Sequence, residues 1–234
     1  MLKDRFSFNF WPSFTDLMLS LVLVMLIILS LVSKMIGAGN ENLDRAYESQ
    51  DKIAEDIKRH TKSVEIFSDK DNEHPISAAK NSKSDITIIK KLDRMTITFS
   101  DKVLFDTDES NIKDTGKEIL SAVGPIVKDN LQNISEIQVQ GHADKEGTDD
   151  HNLRLASQRA INVYNFLQSD VGVDPTKYLM SATSFGKFKP VGREAGDSYS
   201  QSQLLADNAT DDMKARNRRI EIVLFFKNEM PKGN

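Results

Sequence analysis

A run of 17 residues without a charged side chain, from Leu17 to Ser33, constrains the fold of this chain more than any other feature. Fourteen of these residues are apolar. As an α-helix, at about 1.5 Å per residue, the run covers roughly 25 Å, slightly less than the roughly 30 Å hydrocarbon core of a bilayer. A helix that crosses the membrane must therefore recruit residues beyond the run, and we predict a single transmembrane helix over residues 14–36.

The same run could belong to a cleaved signal peptide instead. It is longer than the apolar part of most signal peptides, and Lys34 precedes the only stretch of small residues, at 37–39. We therefore predict an uncleaved anchor. Lys3 and Arg5 precede the span, which favours a cytoplasmic tail over residues 1–13. Aromatic residues typical of a membrane interface cluster before the span: Phe6, Phe8, Phe10, Trp11 and Phe14.

Asp16 is the acidic residue at the start of the predicted span. Ser13 and Asp16 have the S-x-x-D spacing of a capping box, which would give the carboxylate a purely local role. Alternatively, an ionisable group at this depth is costly and normally has a function. Helical spacing places Asp16 on one face with Ser20 and Ser30, a polar stripe that could face an ion. The residues alone leave both interpretations open.

Composition excludes several classes of protein. The 31 basic and 35 acidic residues give a net charge of −4, so nucleic acid is not expected as a partner. The absence of cysteine excludes disulfides, thiolate zinc sites and cysteine nucleophiles. The sequence has no G-x-S-x-G, phosphate-binding glycine loop or H-E-x-x-H motif, so we expect no enzyme and no cofactor. A metal trio of His142, Asp144 and His151 is the weaker alternative to ordinary structural roles.

After the span, apolar residues recur at alternating steps of three and four. The series consists of Leu43, Ala46, Gln50, Ile53, Ile57, His60, Val64 and Phe67. All of these residues except Gln50 and His60 are apolar. This pattern predicts a linker helix over 40–67 that dimerises as a coiled coil, or else a monomeric amphipathic helix that lies on another part of the chain. Residues 68–85 are rich in Asp, Asn, Ser and Lys, which predicts a flexible linker.

Residues 86–227 alternate between strand and helix patterns, which predicts one α+β domain followed by a tail at 228–234. β-branched and apolar runs indicate strands at 86–90, 95–99, 135–140, 178–183 and 219–226. Helical spacing indicates helices near 115–130 and 150–169. The predicted fold is a single transmembrane helix and an α+β domain, a mixed sheet with helices on one face, joined by a helical or coiled-coil linker.

Residues 10–18, FWPSFTDLM, resemble the W-x-x-x-x-D-[LF]-M signature of MotB-type stator subunits. The resemblance implies that Asp16 carries the ion through the membrane of an ion-driven rotary motor, with Ser20 and Ser30 on the supporting face. It also implies a homodimer of this chain inside a pentameric ring of a MotA-like or ZorA-like multi-span subunit. The location implied is the bacterial inner membrane, with the C-terminal domain in the periplasm.

A second resemblance, to the OmpA-like peptidoglycan-binding domain, covers residues 86–227. It rests on four blocks in order: VLFD at 103–106 with Ser110 and Ile112, VQGHAD at 139–144, NLRLASQRA at 152–160, and NRRIEI at 217–222. The chain departs from the family pattern at Ala143 and His151, and the segment between Pro190 and Asn217 is unusually long.

The resemblance implies that Asp144 and Arg159 hold the diaminopimelate end of the peptidoglycan stem. One carboxylate for an ammonium and one guanidinium for a carboxylate suit such a zwitterion. Asn152 lies seven residues before Arg159, so both share a helix face that the Asp144 loop can approach. The alternative is an Asp144–Arg159 salt bridge that only fixes the loop to the helix. Arg218 and Arg219 are expected to be structural.

Together the two resemblances predict the peptidoglycan-anchored, proton-carrying subunit of a MotAB-type or ZorAB-type motor. The N-terminal tail contains only two basic residues, and the segment 192–204 is long. Both features favour a non-flagellar relative such as ZorB of the Zorya anti-phage system over a flagellar stator. A passive wall tether, in which an OmpA-like domain sits on an inert anchor, is the alternative of a different class.

Overall fold

The structure, a computed structural model, describes residues 11–70, 75–194 and 196–227, and of residues 11–13 and 38–43 only the backbone. Several predictions therefore lie outside the described residues: the tail at 228–234, most of the tail at 1–13, and the roles of Lys3, Arg5, Phe6, Phe8 and Phe10. The described chain forms two units, the first ending at Asp44 and the second beginning at Arg45.

The first unit is the N-terminal part of helix α1, which runs Trp11–His60. Its segment Phe14–Gly37 contains 24 residues. As a helix this segment is about 36 Å long, which exceeds the roughly 30 Å core of a bilayer. None of its side chains is buried in the described structure. The segment is long and apolar enough to be the membrane-crossing helix that the sequence predicts. Ser13 is already the third residue of α1, whereas a capping residue precedes the first helical one, so the capping-box interpretation is not supported.

The second unit contains a six-stranded mixed sheet with the strand order β1-β2-β3-β6-β4-β5. The strands are β1 Val64–Ser68, β2 Ile86–Lys90, β3 Arg94–Ser100, β4 Ile134–His142, β5 Leu179–Gly186 and β6 Arg219–Phe226. The pairs β1–β2 and β4–β5 are parallel, and the other neighbours are antiparallel. The five strands predicted from the sequence are all present, and β1 is an addition.

The two long helices Asp114–Asp129 and Asp149–Ser169, with the end of α1, cover one face of this sheet, as predicted, and short helices lie on the other face. The remaining helices are α2 Pro75–Ala79, α3 Asp101–Leu104, α4 Asp114–Asp129, α5 Asp149–Ser169, α6 Gln201–Ala206 and α7 Asp211–Asn217. Alternate side chains of β3, namely Met95, Ile97 and Phe99, are fully buried in a core that also includes residues of α4, α5 and the end of α1. Burial of this continuous apolar face stabilises the unit by the hydrophobic effect.

The linker helix differs from its prediction in two respects. Ile53 and Ile57 are fully buried in the core of their own domain, and the Gln50 amide donates to the carbonyl of Lys91 at 2.9 Å. Gln50, Ile53 and Ile57, three of the positions predicted as a dimer seam, therefore contact their own chain, as in the monomeric alternative. The prediction of helix as far as Phe67 is wrong, because the strand β1 takes residues 64–68 into the sheet, paired with β2.

The segment predicted as a flexible linker, 68–85, is also partly ordered. It contains α2, whose Pro75 and Ala79 are buried. Ser82 bonds the hydroxyl of Thr87 at 3.0 Å. The prediction is therefore wrong for residues 75–85, because burial of α2 outweighs the polar composition around it.

The second face of the sheet is covered by the long segment after β5. Asp207 of this segment forms an ion pair at 2.8 Å with Lys80, the residue after α2, and accepts a hydrogen bond from Tyr199 of the same segment at 2.6 Å. A cleft of about 840 Å³ lies between the segment, α2 and the sheet. The unusual length between Pro190 and Asn217 thus forms a structured layer of the domain.

Candidate functional site

The candidate site lies at one end of the sheet, where the neighbouring strands β3 and β4 end and β6 begins. In the antiparallel register, His142 at the end of β4 and Ser100 at the end of β3 both lie opposite Arg219 at the start of β6. Asp144, Asp101 and Arg218 follow or precede these residues by one or two positions. The register therefore brings two carboxylates and a guanidinium together. Arg159 reaches them from α5, on the face of the sheet that α4, α5 and the end of α1 cover.

Asp144 forms an ion pair with Arg218. One of its carboxylate oxygens receives a guanidinium N–H of Arg218, and the other accepts the backbone N–H of Glu146 at 2.9 Å. The Asp144 side chain is 6% exposed, whereas that of Arg218 is 41% exposed. The carboxylate is therefore fixed in place, and its cationic partner has access to solvent.

Arg159 has a different acidic partner, Asp101. Its Nη1 lies 2.7 Å from Oδ1 of Asp101, and its Nε and Nη2 donate to the carbonyls of Glu109 and Asp106 at 2.7 and 3.3 Å. The guanidinium also lies 5.0 Å from the ring centroid of Phe105. The predicted alternative of an Asp144–Arg159 salt bridge is therefore wrong, because each of the two residues is paired elsewhere.

Asn152 holds the loop that carries Asp144. Its side-chain amide donates to the carbonyls of Asp144 and Glu146 at 3.2 and 2.6 Å. Asn152 and Arg159 are both buried on α5, as their spacing predicts. Thr148 caps this helix by accepting the N–H of His151 at 3.3 Å. Asn152 thus positions the loop of the site, and its N–H donors are directed at loop carbonyls.

His151 connects α5 to the loop after α3. Its Nε2 lies 2.8 Å from Oδ1 of Asp108, and both side chains are more than half exposed. Asp108 has a positive φ of 61°, a left-handed conformation that Asp tolerates better than most residues. This contact ties the start of α5 to the loop that also accepts hydrogen bonds from Arg159.

The charges of the site alternate and are partly buried. Burial raises the pKa of Asp101, while the nearby guanidinium groups of Arg159 and Arg218 oppose that rise. Burial likewise lowers the pKa of Arg159, which Asp101 opposes. Two carboxylates and two guanidiniums can together bind a ligand that carries both an ammonium and a carboxylate. A pocket of about 230 Å³ beside Asp101 and Arg218 gives room for one.

His142 lies away from the site, below the second face of the sheet. Its ring is fully buried, stacked on Phe185 with 5.3 Å between centroids, and Nε2 lies 3.3 Å from Oε2 of Glu221. Burial lowers the pKa of His142 to about 4, and the charge of Arg219 adds to this effect. His142 and His151 therefore have separate acidic partners, and the alternative metal trio with Asp144 is not assembled.

The predicted ion-carrying residues belong to the first unit. Asp16, Ser20 and Ser30 are all exposed on α1. The hydroxyl of Ser20 donates to the carbonyl of Leu17 at 2.8 Å, within its own helix. These three residues lie in a segment whose side chains are all exposed, and their role depends on what surrounds it.

Sequence reasoning missed Asp101 and assigned Arg218 a structural role. Asp101 stands outside the four family blocks, and only the strand register places it against Arg159. For Arg218 a signal was present in the sequence. Two adjacent arginines at the start of a strand point to opposite faces of a sheet. Arg219 is indeed buried and bonded to Glu221 at 2.7 Å, while Arg218 faces Asp144.

Comparison with known proteins agrees with this fold. A sequence model of the OmpA family matches residues 104–218, about half of the chain. Outer membrane protein A of Bordetella avium is 29% identical over 126 residues, 54% of this chain and 55% of that protein. The peptidoglycan-associated lipoprotein of Agrobacterium fabrum is 35% identical over 96 residues, 41% of this chain and 51% of that protein. The chain thus spans about half the length of these curated relatives.

Among solved structures, a MotB-like protein from Desulfovibrio vulgaris superposes with a TM-score of 0.56. It is 15% identical, and the match covers 81% of this chain and 99% of that one. At this identity the likeness establishes the fold alone. The predicted fold, an apolar helix followed by an OmpA-like α+β domain, is confirmed.

Proposed function

Because residues 104–218 form a domain of the OmpA family, we propose that the second unit of this chain binds peptidoglycan. The observation that carries the proposal is the Asp144–Arg218 pair, a buried carboxylate covered by a half-exposed guanidinium. One relative is named a peptidoglycan-associated lipoprotein, which supports the same ligand. The role is binding, without catalysis and without a cofactor.

The site binds the diaminopimelate end of a stem peptide by exchange of ion pairs. The ligand ammonium takes the place of the Arg218 guanidinium on Asp144, which is already held by the N–H of Glu146. Arg218 then turns to the ligand carboxylate, because its side chain has room in solvent. Arg159 holds the loop at 106–109 around the site and adds positive charge, while Asn152 fixes the Asp144 loop.

We further propose that the first unit carries ions across the bacterial inner membrane, with the N-terminus cytoplasmic and the second unit periplasmic. The support is the signature around Asp16 together with a helix that is long enough to span and exposed throughout Phe14–Gly37. Asp16 alternates between protonated and ionised forms, with Ser20 and Ser30 on the same face. The exposed surface accommodates a MotA-like or ZorA-like multi-span subunit, proposed as a pentameric ring around a dimer.

A dimer of this chain cannot use the predicted seam at Ile53 and Ile57, since both side chains are buried in the core of one chain. We therefore propose that the homodimer forms through other residues, above all those of the span. Dimerisation and folding of the second unit then depend on separate surfaces.

We propose that the chain is a subunit of a non-flagellar motor and has a ZorB-like role in anti-phage defence. The structured layer after β5 supports this proposal, and a flagellar stator is the second candidate. A passive wall tether is the third, supported by the OmpA and lipoprotein relatives.

One experiment separates motor from tether. The full chain is restored to a deletion strain as wild type, as Asp16→Asn or as Asp144→Asn, and phage plaquing and swimming are scored beside sedimentation with purified sacculi. A motor requires that Asp16→Asn still sediments but abolishes the phenotype. Full activity of Asp16→Asn would leave only the tether, and normal sedimentation of Asp144→Asn would refute the wall-binding site.

A further inference from the structure

The cleft on the second face of the sheet is a large cavity without an assigned role. Its floor consists of alternate residues of β2, β3, β6 and β4, and its walls are α2, α7 and the segment after β5. The volume of about 840 Å³ falls within the range of roughly 300–1,000 Å³ that is usual for ligand sites. The cleft lies wholly within the second unit.

The floor and rim of the cleft offer hydroxyl, amide and aromatic groups side by side. Thr96 and Thr98 point from β3, and their hydroxyls bond no other residue in the part of the chain that the structure describes. Gln138 and Gln140 follow on β4. Gln140 donates to Oε1 of Gln138 at 2.9 Å and Gln138 donates to Glu136 at 2.8 Å, and each amide has a second N–H beyond these bonds. Phe188 stands at the rim, 47% exposed. Amides and hydroxyls bind the polar groups of a sugar, and an aromatic ring packs against its C–H face.

The cleft is positively charged, although the whole chain has a net charge of −4. Eight basic and four acidic side chains line it. Lys83 and Arg216, two of the basic residues, have no ion-pair partner among the described residues. Their unpaired charges favour a ligand that carries carboxylates.

The cleft adjoins the small pocket beside Asp101 and Arg218. Ser100, Lys102 and Ala215 line both cavities. A ligand fixed by its peptide end beside Arg218 therefore lies next to these residues, which also border the cleft. Peptidoglycan is such a ligand, since its stem peptides hang from a strand of N-acetylated amino sugars.

We propose that this cleft binds the glycan part of peptidoglycan, so that one wall fragment occupies both cavities. The inference rests on the proposed wall binding of the second unit. Sugar rings pack against Phe188, their acetamide and hydroxyl groups bond Thr96, Thr98 and the two glutamines, and carboxylates of adjoining stem peptides pair with Arg216. The layer after β5, which Asp207 ties to Lys80 next to α2, forms the wall that makes the face a cleft.

The test measures the affinity of the purified full chain for two probes, a diaminopimelate-containing stem peptide and the same peptide on its disaccharide. The variant is the double substitution Phe188→Ala with Arg216→Ala. The matched control is Leu205→Ala, an equally exposed apolar residue of the same layer, 49% exposed, that lines neither cavity.

In the wild type the disaccharide should improve binding by about tenfold, and the double variant should lose this gain while its affinity for the free peptide is unchanged. Leu205→Ala should behave as wild type. Equal affinity of the double variant and the wild type for the disaccharide-peptide would overturn the inference. So would an acidic peptide that binds the cleft when the disaccharide does not.

Failure of the inference and failure of the proposed function give different results. Peptide binding that depends on Asp144 but gains nothing from the disaccharide refutes the cleft alone. A wild-type chain that binds neither probe, or whose peptide affinity is unaffected by Asp144→Asn, refutes the proposed wall binding itself.

Discussion

Arg159 and Asp101 form a buried ion pair, with 2.7 Å between Nη1 and Oδ1. Asp144 therefore pairs with a different guanidinium, that of Arg218. The two pairs differ in accessibility. The Arg159 and Asp101 side chains are 6% and 13% exposed, whereas Arg218 is 41% exposed. The inner pair therefore belongs to the framework of the site, and the outer pair is the one that a ligand can open.

The inner pair should be essential for stability. Asp101→Asn leaves the buried Arg159 without its counter-charge, which should lower the free energy of unfolding by about 3 kcal/mol. Urea unfolding followed by circular dichroism measures this change. Arg154→Ala, which breaks the exposed pair with Asp150, is the control and should unfold as wild type. A midpoint for Asp101→Asn equal to that of the control would contradict the assignment.

The outer pair should be essential for binding instead. Asp144→Asn keeps an oxygen for the N–H of Glu146 but removes the charge that receives the ligand ammonium. We expect an unchanged unfolding midpoint and at least a roughly tenfold loss of affinity for the stem peptide, equivalent to about 1.4 kcal/mol. Titration calorimetry gives the affinity. Asp150→Asn, an exposed acid in the first turn of α5, should bind normally. Equal losses in both variants would show only a general charge effect.

Acidification should destabilise the second unit through His142. Its pKa is about 4 in the folded chain, against about 6.5 in an unfolded one. Between these pH values the unfolded chain binds a proton that the folded chain does not, so the free energy of unfolding falls as the pH falls, by roughly 3 kcal/mol in total. Unfolding measured at pH 7.5, 6.5, 5.5 and 4.5 tests this dependence.

Glu221 should act in the same direction. Although burial opposes the shift, the charge of Arg219 holds the pKa of Glu221 well below its usual range, so its contribution to stability is also lost on acidification. Asp101, with its raised pKa, acts in the opposite sense. His142→Gln removes one of these contributions, and its stability should fall less between pH 6.5 and 4.5. Parallel pH curves for the variant and the wild type would be inconsistent with a neutral buried imidazole.

The end of α1 should behave as core of one chain. Ile57→Ala leaves a cavity beneath the sheet and should cost about 3 kcal/mol of unfolding free energy. The loss should not depend on protein concentration, because no second chain contributes to this contact. Glu55→Ala, on the exposed face of the same turn, is the control. A loss that disappears at high concentration would instead identify Ile57 as part of a dimer interface.

Local sequence patterns were sufficient to predict elements whose partners lie near in sequence, or whose periodic pattern continues over many residues. The β-branched run of β2, the spacing along α5 and the apolar run after Asp16 each predicted an observed element. The strand Val64–Ser68 was missed because its apolar residues also fit a heptad, and only pairing with Ile86–Lys90 decides between the two.

In the site, too, some residues could be predicted from the sequence and others could not. Asp144 and Arg159 stand in recognisable family blocks, so the resemblance identified them. Asp101 could not be identified, because its role arises from the register of β3 against β6 and from the position of α5 over the sheet. The partner of a buried charge is decided by tertiary structure and not by distance along the chain.

The position of the site at the ends of β4 and β6 has a mechanical consequence. For a ligand held as proposed by Asp144 and Arg218, a pull directed along the strand axes loads these two strands, which lie in the interior of the sheet with a partner on each side. Such a load shears the whole ladder of hydrogen bonds at once, whereas a pull across an edge strand would open the bonds one after another. The site is therefore placed where the domain can bear sustained tension.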